Sequence, residues 1–184
     1  DGTIRGLVHV TGNLGFLKAG SIIGQRDVVL TDLIVSGLVT AGGSIDRVDI
    51  SERAQDTYIL AGFHPGIDLT SIADGIFTPG ELQVNGTAID PGERPQQGSM
   101  AKVDIATLDN SLVAAAVSPG TNRLFGDQDG TDFPAAGINE IRKVSIGQVE
   151  GNADGTPFGV FSDTAIRNLR IAGKRVPVPI ILGS

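Results

Sequence analysis

Apolar and polar residues alternate along this chain in short runs that recur. Val8-His9-Val10-Thr11, Val28-Val29-Leu30-Thr31 and Val48-Asp49-Ile50-Ser51 each read apolar, variable, apolar, hydroxyl. They follow one another at about 20 residues, a spacing typical of stacked repeat folds. Alternation with a period of two puts Val48 and Ile50 on one face and Asp49 on the other, as in a half-buried strand. A second run falls between these copies. Leu17-Lys18-Ala19-Gly20, Val39-Thr40-Ala41-Gly42 and Ile59-Leu60-Ala61-Gly62 all close on Ala-Gly, which permits a tight corner. Each period therefore predicts two short strands separated by turns.

A period of about 20 residues is too short for a helix to cross between two parallel strands. It suits one coil of strands with the next coil stacked above it. The expected fold is all-β: a right-handed parallel β-solenoid (β-helix) formed by residues 1–184 as one domain. Later copies support the pattern. Ile45-x-x-Val48-x-Ile50 recurs as Ile141-x-x-Val144-x-Ile146 and Ile166-x-x-Leu169-x-Ile171, with a partial copy at Ala101-Lys102-Val103-Asp104-Ile105. The second run recurs as Leu112-Val113-Ala114-Ala115 and Gly159-Val160-Phe161-Ser162.

Two loop insertions, 63–100 and 118–137, lengthen the later coils. The first holds Pro65, Pro79, Pro91 and Pro95, which exclude regular helix and central strand. Residues 174–184 read as an extended C-terminal tail, and the prolines at 177 and 179 suit an edge guard, a linker or an arm. Stacked coils leave open strand edges, expected here near Ile4–Val10 and near Ile166–Ile171.

Composition sharpens this picture. Aromatic residues make up 4% of the chain, with no Trp and one Tyr, so ring-lined pockets are not expected. There is no Cys, which removes disulfides, thiolate metal sites and Cys nucleophiles. The net charge of −7 repels a phosphate backbone, so nucleic acid is not an expected partner. The dibasic pairs Arg142-Lys143 and Lys174-Arg175 are too short to form a binding stripe. No apolar run approaches the length of a membrane-spanning helix. The abrupt start at Asp1 fits a processed precursor or a piece of a longer protein.

Tyr58-Ile59-Leu60-Ala61-Gly62, the run from Asn110 to Gly120, Phe125-Gly126-Asp127-Gln128-Asp129-Gly130 and Ile141-Arg142-Lys143-Val144-Ser145-Ile146-Gly147 together resemble a known module. It is the β-strand repeat of very large bacterial surface or secreted proteins, often of planctomycete type. The resemblance runs from about Gly43 to the end. It implies an extracellular or cell-surface structural region and brings no catalytic residues with it. The chain also resembles, more weakly, the bactofilins, which are cytoskeletal β-solenoid polymers with more even coils.

The best ligand candidate is Asp127-Gln128-Asp129-Gly130-Thr131-Asp132. Asp127, Asp129 and Asp132 could begin a Ca²⁺ site, since that ion takes several oxygens from a flexible acidic turn. The spacing is not that of an EF-hand and no Glu closes the loop, so a solvated turn is the simpler reading. No other cofactor is expected. Stacking the runs gives an outward column of His9, Val29, Asp49, Asp104, Ser145 and Arg170. Asp49 and Asp104, with Asp46 nearby, are the residues a polysaccharide-active β-helix enzyme would use; a solvated sheet face shows the same charges. His9 reads as an outward strand residue and His64 as a turn residue. Thr11, Thr31 and Ser51 form one expected hydroxyl column.

The functional reading is a structural, non-enzymatic segment or subunit of a surface filament, sheath or stalk. It would self-associate by end stacking or strand exchange, or continue a longer surface protein. The alternative is an adhesin or glycan-binding module that uses the insertions. A polysaccharide-active enzyme ranks third.

Overall fold

The computed structural model describes residues 2–24, 37–62, 97–117, 137–151 and 159–177, together with the backbone of five short strands between them. No helix occurs among the described residues. In chain order the strands are β1 (Thr3–Ile4), β2 (Val8–Val10), β3 (Leu14–Ile23), β4 (Arg26–Val29), β5 (Asp32–Val35), β6 (Leu38–Ala41) and β7 (Ile45–Gln55). Next come β8 (Tyr58–Ala61), β9 (His64–Pro65), β10 (Leu82–Val84), β11 (Thr87–Ala88), β12 (Met100–Asp109) and β13 (Leu112–Ala115). The last are β14 (Glu140–Ile141), β15 (Val144–Glu150), β16 (Gly159–Ser162), β17 (Ala165–Ile166), β18 (Leu169–Ile171) and β19 (Lys174–Val176).

Two parallel sheets organise these strands. The long sheet runs β1-β3-β7-β12-β15-β18, and β19 closes it in antiparallel sense. The short sheet runs β16-β13-β8-β6-β2. The chain passes from a long strand to a short one and then into the next layer. Stacking therefore aligns like with like. One interior column is Leu17, Val48, Val103, Val144 and Leu169. Another is Ala19, Ile50, Ile105, Ile146 and Ile171. From the short sheet, Val8, Val39, Ile59, Val113 and Val160 form a third. These columns enclose the core, and Val48, Val103, Val144, Val39, Ile59 and Val113 are fully buried. The copies at Ile45, Ile141 and Ile166 fall in register as the sequence pattern required, with Met100 between the first two.

The early pattern is corrected. Val8, Val28 and Val48 do not stack. Val8 lies in the short sheet and pairs with Val39, whereas Val48 lies in the long sheet and pairs with Leu17. Val28 belongs to neither, because β4 and β5 form an antiparallel hairpin with Val28 opposite Leu33. The hairpin is an insertion of its own, and its alternating apolar residues mimic a stacked strand. The expected hydroxyl column fails for the same reason: Thr11 follows β2, Ser51 sits inside β7, and Thr31 lies outside the described residues. Within 63–100 the described pieces β9, β10 and β11 form a small antiparallel sheet apart from both large ones. At the C-terminus, Lys174–Val176 fold back on β18 through a turn with Ala172 at φ 51° and Gly173 at φ 75°. Of the long-sheet edge expected at Ile166–Ile171, the part from Leu169 to Ile171 is therefore covered from within the chain, and β19 becomes the last strand of the sheet.

The two sheets differ in burial. The long sheet alternates buried and exposed positions, but β12 shifts phase after Ile105, and the next buried residue is Leu108. Three residues instead of two keep both side chains inward only if the strand turns around the core. β7 carries an extra residue at this corner, Ser51–Glu52 facing one residue in each neighbour, which is a β-bulge. The short-sheet strands β6, β8 and β13 are buried on both faces. Every long connection (25–36, 63–96, 118–136 and 152–158) joins an end of a short-sheet strand. Strands covered on both sides read as continuous apolar runs, as Tyr58-Ile59-Leu60-Ala61 and Leu112-Val113-Ala114-Ala115 do.

A polar column supports the corner that leads into the long strands. Ser44 N–H donates to Asn13 Oδ1 at 2.8 Å, and Ser99 N–H donates to Ser44 Oγ at 3.1 Å. Glu140 N–H donates to Ser99 Oγ at 3.1 Å, and Asn139 N–H donates to Thr164 Oγ1 at 2.9 Å. These links join residues 31, 55, 41 and 25 positions apart, so unequal insertions leave the corner chemistry unchanged. Short hydroxyl and amide side chains suit such a corner because they satisfy backbone donors that the turn takes out of the sheet.

Candidate functional site

The long sheet presents the exposed face that carries most of the described charge. Its central column is Lys18, Asp49, Asp104, Ser145, Arg170 and Arg175. Asp49 and Asp104 are direct register partners, so the stacking suggested by the sequence brings these two carboxylates together. His9 and Val29 do not join them. His9 is half-buried in the short sheet, with Nδ1 2.8 Å from Oγ1 of Thr40, and Val29 belongs to the hairpin.

Each aspartate has a cation two residues before it on its own strand. Arg47 Nη2 lies 2.9 Å from Asp49 Oδ2, and Lys102 Nζ pairs with Asp104. The Arg47 guanidinium also sits 5.1 Å from the centre of the Phe16 ring, a cation–π contact with a ring that is 51% exposed. Two carboxylates divide acid and base roles most readily where their environments differ or where they sit close enough to share one proton. Here the environments are alike: the same strand position, the same kind of partner and the same open face. The arrangement is an alternating-charge sheet surface. Because both pairs stay in contact with solvent, with Arg47 exposed and Asp49, Lys102 and Asp104 half-buried, Asp49→Asn is expected to change unfolding free energy by less than about 1 kcal/mol in a urea titration. A loss above about 2 kcal/mol would show that the face is not the solvated surface described.

A second network lies at the far corner of the long strands. Arg53 reaches Asp109 at 3.1 Å and Glu150 at 3.3 Å, linking three neighbouring strands. Burial pushes the Asp109 carboxyl up from its ordinary range; Glu150 and Asp56 push the same way and Arg53 opposes them. Asp56 and Asn110 stand at the following corner with φ of 48° and 45°, a left-handed backbone that these two residue types tolerate well. Asn110 Nδ2 donates to Asp56 Oδ1 at 2.6 Å.

The third cluster escaped the sequence reading. Glu140 is buried, and its two carboxylate oxygens are taken by different arginines, Arg142 Nε at 2.9 Å and Arg167 Nε. The hydrogen bond from Arg167 is the main cause that holds the Glu140 carboxyl below its ordinary value of 4.5; burial works against it, and Arg142 adds to the lowering. The unfolded chain thus binds this proton more tightly than the folded one. The resulting stabilisation is complete above the ordinary value and drains away as pH falls through the lower folded value. Urea midpoints at pH 6 and pH 3 should differ more for the wild type than for Glu140→Gln. Equal differences would remove Glu140 from the acid response. The signal missed in the sequence was the pair Glu140-x-Arg142, which looks like surface charge until Ile166 is known to sit beside Ile141.

Among the described residues no group of three or more His, Cys, Asp or Glu side chains converges as a metal site. Asp127, Asp129 and Asp132, the calcium candidates, lie outside the described residues. The side chain of His64 also lies outside them. No helix among the described residues is long and apolar enough to cross a membrane.

Stacked parallel sheets with aligned columns define an all-β protein with a repeating layer. Beyond that class, no family model, curated protein or solved structure matches the chain.

Proposed function

We propose that this chain is a right-handed β-solenoid with a basic coil of about 20 residues. Its role is structural, as a segment or subunit of an extracellular filament, sheath or stalk, and it is not an enzyme. The observation that supports this most is the unbroken alignment of interior columns and corner side chains through layers of very different length. Such a chain keeps its layers in register regardless of what its connections do. The exposed face adds paired, alternating charge.

Assembly would proceed through strand edges. β3 has β1 beside it only at Ser21–Ile22, and no described strand pairs with Leu14–Ala19 on that side. At the other end β19 already occupies the edge of β18. Self-association on the long sheet would then proceed by release of β19 and its exchange onto the β3 edge of a neighbour, or by pairing of the outer edge of β19, which ends the sheet. Electron microscopy of the purified chain tests this, with and without Ca²⁺ because of Asp127, Asp129 and Asp132. Filaments of regular axial repeat that vanish when residues 174–184 are deleted are the expected result. Dispersed particles at high concentration in both conditions would remove the subunit version and leave a segment of a longer surface protein.

The second reading is an adhesin. It is favoured by the two longest connections, 63–96 and 118–136, which both leave the C-terminal ends of the paired parallel strands β8 and β13 and so start from one edge of a fixed frame. Glycan-array binding that disappears when residues 66–96 are replaced by a short linker would support it. An array with no binding would count against it.

A further inference from the structure

The dibasic pairs Arg142-Lys143 and Lys174-Arg175 are far apart in sequence, but the fold joins them. Ile141 pairs with Ile166, which sets Arg142 beside Arg167 on the shared carboxylate of Glu140. Val144 N–H donates to the Asn168 carbonyl at 2.8 Å, bringing Lys143 to the same corner. Arg170 and Arg175 are direct partners across the antiparallel pair β18–β19. All six cations, the two pairs with Arg167 and Arg170, are exposed. Residues 138–177 hold six of the 14 Lys and Arg but only four of the 21 Asp and Glu, in a chain of net charge −7. The stack is thus electrically polar, with its cations gathered at the C-terminal end.

Like charges directly opposite on neighbouring strands repel one another. Arg170 and Arg175 are so placed, and neither has an ion-pair partner among the described residues. Beside them lies a cleft of about 360 Å³ lined by Ile166, Arg167, Arg175, Val176 and Pro177. Two arginines and three apolar residues line it. Arg167 is held in place by Glu140, so one guanidinium is fixed before any ligand arrives, and Arg175 borders the same space. A guanidinium fork matches a planar carboxylate through two parallel hydrogen bonds. The apolar side chains suit the C–H face of a sugar ring. The volume is near the lower end for small-molecule sites and fits about one monosaccharide.

We propose that this cleft binds the carboxylate of a uronic acid unit in an acidic polysaccharide. Both this class and nucleic acids are polyanions, and the choice between them rests on the shape and lining of the cleft, which fits about one sugar ring. The described cleft also has no aromatic ring on which a base could stack.

Calorimetric titration of the whole chain with a galacturonic acid tetramer, at low salt, tests the site against a neutral galactose tetramer. The acidic tetramer should bind, more weakly as salt rises, and the neutral one should not. Arg175→Glu should weaken binding by roughly tenfold or more, with the thermal midpoint not lowered, because the substitution replaces a like-charge pair with Arg170 by an opposite-charge one. Arg175→Gln serves if the charge reversal fails to fold, and should weaken binding in the same direction. Equal binding of the neutral tetramer, no binding of either at millimolar concentration, or full affinity in a folded Arg175 variant would each overturn the proposal. Tighter binding of a thymidine oligonucleotide of equal charge would also overturn it, in favour of nucleic acid.

Discussion

Replacing Gly98 with Ala is expected to destabilise the fold by about 3 kcal/mol or more, near the upper limit for overpacking. Gly98 is buried where the chain re-enters the stack after the first long insertion. A Cβ at this position would lie 2.7 Å from the Gly62 Cα and 2.8 Å from the Ala61 carbonyl carbon. Both are backbone atoms, so no side chain can rotate away. Nor can Gly62 retreat easily. Its φ is 82°, and its N–H donates to the carbonyls of Ala41 and Gly43, each at 2.9 Å. One methyl group therefore pushes on three layers together. The measurement is a urea or thermal titration beside a control such as Gly15→Ala, where nothing lies within 4 Å of the added Cβ. A stability change in Gly98→Ala as small as in the control would show that the corner is looser than described.

Asn139→Leu should cost about 3 kcal/mol through hydrogen bonds that leucine cannot make. Asn139 is fully buried at the corner below β14. Its Oδ1 accepts the Gly98 N–H at 3.1 Å and its Nδ2 donates to Asp163 Oδ2 at 2.9 Å. Its backbone carbonyl also accepts from Ser162 Oγ at 2.7 Å. Leucine preserves the size but leaves the Gly98 donor without its acceptor inside the protein, which by itself costs about 1–3 kcal/mol. Asn139→Asp separates packing from hydrogen bonding. It keeps an oxygen for Gly98 but turns a second carboxylate toward Asp163, so its stability should recover as pH falls and one carboxylate takes a proton. An Asn139→Asp variant as stable as the wild type at every pH would mean that size alone governs the corner.

The parts of the fold legible in the sequence were those in which neighbouring layers repeat the same spacing. Ile45, Val48 and Ile50 share their pattern with Ile141, Val144 and Ile146 because both triplets fill the same three interior positions, and no insertion interrupts either strand. The early repeat misled for a physical reason. The hairpin containing Val28 has its own apolar alternation, and alternation reports a two-faced strand without saying which sheet it joins. Leu17-Lys18-Ala19-Gly20 likewise resembles Ile59-Leu60-Ala61-Gly62, although one lies in the long sheet and the other in the short sheet. At the surface, the pairing of Asp49 with Asp104 followed from stacking. Their neutralisation by Arg47 and Lys102 was also local and could have been read. Glu140, Arg142 and Arg167 could not, since their meeting depends on a register across the last insertion. The cationic end was missed for the same reason, because Arg170 and Arg175 face each other only after the chain reverses at Ala172–Gly173.

The direction of the hydrogen bonds sets how this molecule would carry tension. They run from layer to layer, along the line of stacking, and not along the strands. A pull at the two ends therefore opens one interface at a time, in the manner of a zip, and the load is never shared among all the strands. The first interfaces to part should be those with the shortest pairing. The shortest pairings lie at the two ends: β1 meets β3 only at Ser21–Ile22, and β18 meets β15 only over Val144–Ile146, while β3 and β7 pair from Leu14 to Ile23. The end layers would then behave as mechanical fuses, yielding at low force while the longer pairings between them stay closed.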